Sequence, residues 1–145
     1  MTVHRIKMAV GVGDVQHLAR IQAGRLRQAR ERGEAAVLRH YTRHTPRRSA
    51  ELTDGGSLYW VIKGFVRVRQ EIRAVERGVN AEGRPSCALV LDPDLVRTSL
   101  QACRPFQGWR YLGAENAPAD LSPLAEETDG VPRELAAELR HLGLL

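Results

Sequence analysis

At 145 residues, 43% of them hydrophobic, the chain can bury a real core and is read as a single domain spanning residues 1–145. No apolar run approaches the ~20 residues that span a bilayer, and MTVHRIKMAV lacks a signal peptide's long apolar segment, which points to a soluble, cytoplasmic protein with no membrane partner. The net charge of +5 is uneven: residues 1–50 carry eleven Lys or Arg against three acids, residues 51–110 nine against seven, and residues 111–145 two against seven, so the basic end wants an anion.

Residues 3–10, VHRIKMAV, read as an opening strand with His4, Ile6, Met8 and Val10 toward the core. GVGD then turns into a helix over about residues 14–31, with Asp14 as N-cap and Val15, Leu18, Leu26 and Ala29 on its apolar stripe. Its other face carries Arg20, Arg25, Arg27, Arg30 and Arg32. Gly11 and Gly13 lack the spacing of either Gly-rich phosphate fingerprint and are read as a turn. Residues 35–43 form a second strand. It runs into HTPRRSAELTDGG, the most basic connection, where Pro46 stops the strand, Ser49 can cap a helical turn and Asp54-Gly55-Gly56 closes it.

Residues 56–72, GSLYWVIKGFVRVRQEI, carry the most persistent pattern in the chain. Leu58, Trp60, Ile62, Val66, Val68 and Ile72 share one parity, broken by Gly64 and Gln70, while Lys63, Arg67, Arg69, Glu71 and Arg73 take the other. A straight strand of this length would reach roughly 50 Å, so Gly64 is expected to mark a bend or bulge that serves two sheets. A polar turn over residues 76–86 leads to SCALVLD, a return strand apolar on both parities and therefore central. Asp92-Pro93-Asp94 starts a short turn. RPFQGWRYL, residues 104–112, reads as a strand kinked at Gly108, residues 113–130 as a covering loop with a turn at Ser122-Pro123, and Pro132 opens a terminal helix with Val131, Leu135, Leu139 and Leu142 in phase.

The histidines His4, His17, His40, His44 and His141 show no zinc spacing, and no nucleophile elbow or reactive cysteine pattern is present. Cys87 and Cys103 read as thiols. Neither a metal nor a cofactor is expected. Both tryptophans and two of the three tyrosines fall in YWVIKG and GWRYL, each beside a cation, Lys63 or Arg110, with Arg104 and Gln107 close by. Aromatics beside guanidinium groups form a platform for a flat π ligand such as a nucleobase, with the cations on its phosphate. Trp60 fits a packed core better, and Trp109 a ligand-facing site.

At TPRRSAELTDGGSLYWVIKG, VLDPDLVRT and RPFQGWRYL the chain resembles the bacterial family catalogued as domain of unknown function 1489, over nearly its whole length. That family implies no established activity. More distantly, the N-terminal strand and helix, the basic loop ending in a Gly turn and the long kinked hairpin are similar to PUA-like barrels of the ASCH and EVE types, which bind RNA or modified nucleobases.

The expected fold is therefore α+β: a mixed, mostly antiparallel sheet curled into a small open, PUA-like barrel with helices at both termini outside it. Three functions suit the charge and the aromatics. The first is a non-catalytic module binding RNA or a modified nucleotide, with Arg43, Arg47, Arg48 and Lys63 on phosphate and Trp109 with Tyr111 or Tyr59 stacking a base. The second is an enzyme on an anionic, nucleotide-like substrate, drawing its base from Asp54, Asp92, Asp94, Glu51 or His44. The third is a module docking an acidic protein.

Overall fold

The computed structural model describes residues 2–43 and 45–121. The expected C-terminal helix, the Ser122-Pro123 turn and His44 lie outside those residues. The chain order is β1 (Val3–Met8), α1 (Val15–Glu31), β2 (Leu38–Thr42), α2 (Ser49–Leu52), β3 (Ser57–Ile62), β4 (Phe65–Val79), β5 (Pro85–Leu91), β6 (Val96–Ala102), β7 (Trp109–Gly113) and a 3-10 turn, Ala114–Asn116. Seven strands form one mixed sheet in the order β2-β5-β4-β3-β1-β7, with β6 also paired to β4. Only β1 and β3 run parallel, and the order does not close on itself. The fold is α+β. No helix among the described residues is long and apolar enough to cross a membrane.

The parity run of residues 56–72 is two strands rather than one bent strand. Lys63 and Gly64 take φ of 50° and 81°, the pair of positive values that a two-residue type I′ hairpin turn requires. Lys-Gly is not the usual Asn-Gly signal, and the apolar pattern continues unbroken around it, which is why the turn reads as a bend. The irregularity expected at Gly64 sits instead at Arg67. Trp60 pairs with Val68 but Val61 with Val66, so Arg67 is an extra residue that reverses the facing of the strand. Its Nε donates to the Ile62 carbonyl at 2.6 Å.

That reversal assigns Val68 and Val66 to different cores. Trp60, Ile62, Val68 and Ile72 join Val3, Leu18, Leu38, Leu52, Leu58, Leu89 and Leu91 on the face covered by α1 and α2. Val66 joins Ile6, Tyr59 and Val61 on the other face, with Met8, Cys103, Phe106 and Leu112 against them. All six residues of β3 are buried, as a strand covered on both faces must be. A second shift between Ile72 and Ala74 lets the far half of β4 turn away from β3 and pair with β5, which also pairs with β2 and is internal as expected.

The opening strand ends at Met8, and Val10 is 88% exposed in the turn rather than in the core. Asp14 caps α1 by accepting from the His17 N–H at 2.6 Å. In α2 the N-cap is Arg48, while Ser49 Oγ donates to the Pro46 carbonyl at 2.5 Å. Gly56 has no alternative, because a Cβ there would collide with the backbone carbonyls of both Leu52 and Val3. Strand β6 has no counterpart among the expected elements, since VRTSLQA shows no apolar alternation. The strand in RPFQGWRYL begins only at Trp109, after Gly108 at φ 71°.

Helix α1 is fastened to the sheet through amides. Gln22 and Gln70 exchange two hydrogen bonds of 2.8 Å, Gln70 Oε1 also accepts from the Trp60 indole N–H at 2.9 Å, and Gln70 Nε2 donates to the Asp92 carbonyl at 3.0 Å. Replacing either glutamine alone by Ala leaves buried partners unpaired, at about 1–3 kcal/mol per orphaned group. We expect Gln70→Ala to destabilise more than Gln22→Ala, and the double variant to lose less than the sum, when a double-mutant cycle is read by chemical denaturation.

Candidate ligand-binding site

Strand β1 supplies the central cations of the site. Alternation sends Val3, Arg5 and Lys7 to the face that α1 covers, and pairing sets their neighbours. Lys7 lies between Trp60 of β3 and Trp109 of β7, and Arg5 between Leu58 and Tyr111. A cavity of about 240 Å³ opens beneath α1, with Lys7, His40, Trp60, Leu18, Leu38 and Arg25 among its walls and no carboxylate on them. Arg39 also borders it but is tied to Glu76 at 2.7 Å.

His40 meets Trp60 edge to face, ring centroids 5.5 Å apart, and its Nε2 is buried without a hydrogen-bond partner. Burial lowers its pKa to about 4, and the positive charges of Lys7, Arg5 and Arg25 push the same way. Burial lowers Lys7 too, with Arg5 adding to the effect. Trp60 therefore serves both roles: its N–H is used within the core by Gln70, while its ring lines the cavity.

Arg5 is 1% exposed. Its guanidinium carbon lies 3.9 Å from the centre of the Trp109 ring, which in turn meets Tyr111 edge to face at 4.8 Å. Its Nε and Nη1 have no hydrogen-bond partner. Burial lowers its pKa to about 10, opposed by Cys87 and then Tyr111. A desolvated cation–π contact is worth about 2 kcal/mol, less than the several kcal/mol that burying an unpaired charge costs.

Of the residues singled out from the sequence, Trp109, Tyr111 and Arg48 come together here. Tyr111 Oη accepts from the Arg48 backbone N–H at 3.2 Å, and the Arg48 guanidinium, paired with Glu51, lies 5.3 Å from the Tyr111 ring. Arg47 is exposed on the same loop. The others are elsewhere. Lys63 caps the β3–β4 hairpin, and Arg43 borders a separate surface hollow with Tyr41 and Arg84. Arg104 and Gln107 are exposed in the segment before β7, and Arg110 stacks on Phe106, which packs against the other face of the sheet. Tyr59 is buried on that other face against His4.

Sequence reasoning missed Arg5, Lys7, His40 and Arg25. On β1 the cations alternate with apolar residues, the signature of a half-exposed strand, so they read as the wet side. The signal available was weak: two long cations at i and i+2 in a strand that opens a small fold. Of the carboxylates weighed as bases, Asp92 accepts from the Asp94 N–H and pairs with Arg73 at 2.8 Å, and none lines the cavity. Among the described residues no group of three or more His, Cys, Asp or Glu could hold a metal.

Residues 5–145 match the family model described as Protein of unknown function (DUF1489), and the chain belongs to that family. No curated protein matches it, and no solved structure does.

His40 offers a direct check of this geometry. Its folded pKa lies below the ordinary 6.5, so the unfolded chain takes the proton first, and stability falls as pH drops from about 6.5 to about 4. An NMR titration should place its imidazole midpoint near 4. His40→Gln should flatten the stability curve between those pH values relative to wild type, the contribution of His4 being common to both.

Proposed function

We propose that this member of the DUF1489 family is a non-catalytic binding module for a nucleotide or for single-stranded nucleic acid. A base would enter the cavity beneath α1 against Trp60 and His40, and its phosphate would meet Lys7 and Arg25. In this reading the sheet curls as a small open, PUA-like barrel, with the cavity at its mouth and Trp109, Tyr111 and the Arg47-Arg48 loop on the path of a longer chain. The observation that carries it is the cavity wall: Lys7, Arg25 and His40 beside Trp60 and aliphatic side chains, with no carboxylate. Such a wall favours an apolar, planar body bearing negative charge. The volume is below the about 300–1,000 Å³ of drug-sized sites, which suits one ring system rather than a dinucleotide.

An enzyme on the same ligand would need a base at the cavity. His40 is the candidate by position, and burial makes it a weak one. Binding is therefore the better-supported function.

Titration calorimetry with nucleoside monophosphates and with a single-stranded RNA tests the reading. Lys7→Ala should weaken monophosphate binding about tenfold or more, the scale of one lost charge-assisted hydrogen bond. RNA affinity should fall steeply with salt, and joint replacement of Arg47 and Arg48 by Ala should flatten that slope by up to about two units. No binding of either ligand at low salt would reject the reading in favour of an acidic protein partner.

A further inference from the structure

The cavity beneath α1 continues along β2. It shares Arg25, Leu38 and Arg39 with a second hollow of about 250 Å³ between the C-terminal half of α1 and β2, which reaches Arg32, Val37 and Tyr41. Tyr41 in turn borders a wider hollow of about 1050 Å³, lined by Arg43 just past β2 and by Val79 and Arg84 at the β4–β5 turn. The three hollows follow β2, which ends the sheet and pairs only with β5.

Two independent features set this track apart from ordinary surface. The large hydrophobic side chains that the described residues expose are Val10, Val37, Tyr41 and Val79, and each of them lines one of these hollows. Tyr41, 69% exposed, stands at the junction of the second and third. Exposed apolar side chains scattered singly need no explanation, whereas their collection along one groove marks a binding face. The second feature is charge. The guanidinium groups of Arg25, Arg32, Arg43 and Arg84 form no ion pair with the described residues, while Arg39 is tied to Glu76. Against those four cations the two outer hollows set two carboxylates, Glu34 and Glu82.

Arginines spaced along a groove around an exposed aromatic ring match a single-stranded nucleic acid, whose phosphates follow the cations while a base stacks on the ring. An extended acidic peptide adding to the free edge of β2 is the competing occupant. The cations favour the nucleic acid, because they continue past β2 to Arg84 in the β4–β5 turn, where an added strand has no backbone to pair with. Length favours an oligonucleotide over a mononucleotide. From Leu38 to Thr42 strand β2 alone rises roughly 13 Å at about 3.3 Å per residue, whereas one stacked nucleotide advances about 3.4 Å.

We propose that the groove between α1 and β2 holds a single-stranded oligonucleotide, with Tyr41 stacking a base and Arg32, Arg43 and Arg84 on the phosphates that lead away from the cavity. This rests on the nucleic-acid reading above and deepens it, since it commits to a chain of several nucleotides and to the side by which that chain leaves the cavity.

Calorimetry on the full chain compares a nucleoside monophosphate with a trinucleotide and a hexanucleotide of single-stranded RNA. Affinity should rise with length. Tyr41→Ala should weaken the hexanucleotide about tenfold, the scale of one lost base stack, and leave the monophosphate affinity and the melting temperature as in wild type. Tyr41→Phe should keep most of the hexanucleotide affinity. Joint replacement of Arg32 and Arg84 by Ala should flatten the salt slope of hexanucleotide binding by up to about 1.4 units, the share of two phosphates on a single strand. A hexanucleotide bound no tighter than the monophosphate overturns the proposal and leaves the cavity reading standing. So does a Tyr41→Ala variant that binds the hexanucleotide as wild type does. A poly-glutamate peptide that binds as tightly as the RNA and loses as much in Tyr41→Ala also overturns it, and assigns the β2 edge to an acidic peptide. Hexanucleotide binding that needs Tyr41, without monophosphate binding, upholds the groove and rejects only the cavity as a nucleotide site.

Discussion

The side-chain amide of Gln70 joins helix to sheet at a single buried point. It is 0% exposed and bonded to Trp60 on β3, to Gln22 on α1 and to the backbone at Asp92 beyond β5. An amide in the core is costly unless its oxygen and nitrogen are both engaged, and here every partner comes from a different element. The helix can therefore sit on the sheet in one register only, and Trp60 is held in one orientation. Since α1 roofs the cavity and Trp60 lines it, the same four hydrogen bonds that specify the fold also shape the site.

The polar residues of the interior divide into two populations. Gln22, Gln70, Ser57 and His4 answer one another or the backbone: His4 Nδ1 accepts from the Ser57 N–H at 3.0 Å, as a structural histidine should. Arg5 and His40 keep buried nitrogens without partners, and the charge of Lys7 bears on His40. Lys7, His40 and Arg25 line the cavity, whose wall carries no carboxylate. Among the described residues, buried side-chain nitrogens without partners occur only at Arg5 and His40.

Strand β4 links the two parts of the sheet. Its extra residue at Arg67 reverses the facing of the strand, and the shift near Arg73 releases its far half to pair with β5. One strand thus pairs with both β3 and β5, and His40 of β2, which lies beyond β5, meets Trp60 of β3 edge to face. The Lys63-Gly64 turn, with φ positive at both residues, starts this arrangement at its N-terminal end.

The α+β class, the family, the capped helix α1, the internal position of β5 and the main-core places of Leu58, Trp60, Ile62, Val68, Leu89 and Leu91 were legible in the residues alone. Burial leaves a period of two or of 3.6 in a chain, and the Asp14 carboxylate marks a helix start because it accepts from an N–H three residues along. Trp109, Tyr111 and Arg48 were marked as well, since their chemistry can be read without coordinates. The facing of each residue, and the groups it meets there, came from tertiary pairing. Arg67 reverses parity without changing the pattern of letters, so Val66 and Val68 read as one face and lie on two. Arg5 and Lys7 alternate as solvent-facing cations do, yet Arg5 is buried between β3 and β7 with Trp109 over its guanidinium, and Lys7 is half-buried beside it. Alternation records that the two faces of a strand differ. Which of them is enclosed depends on pairings made by residues more than fifty positions away, which no local pattern encodes.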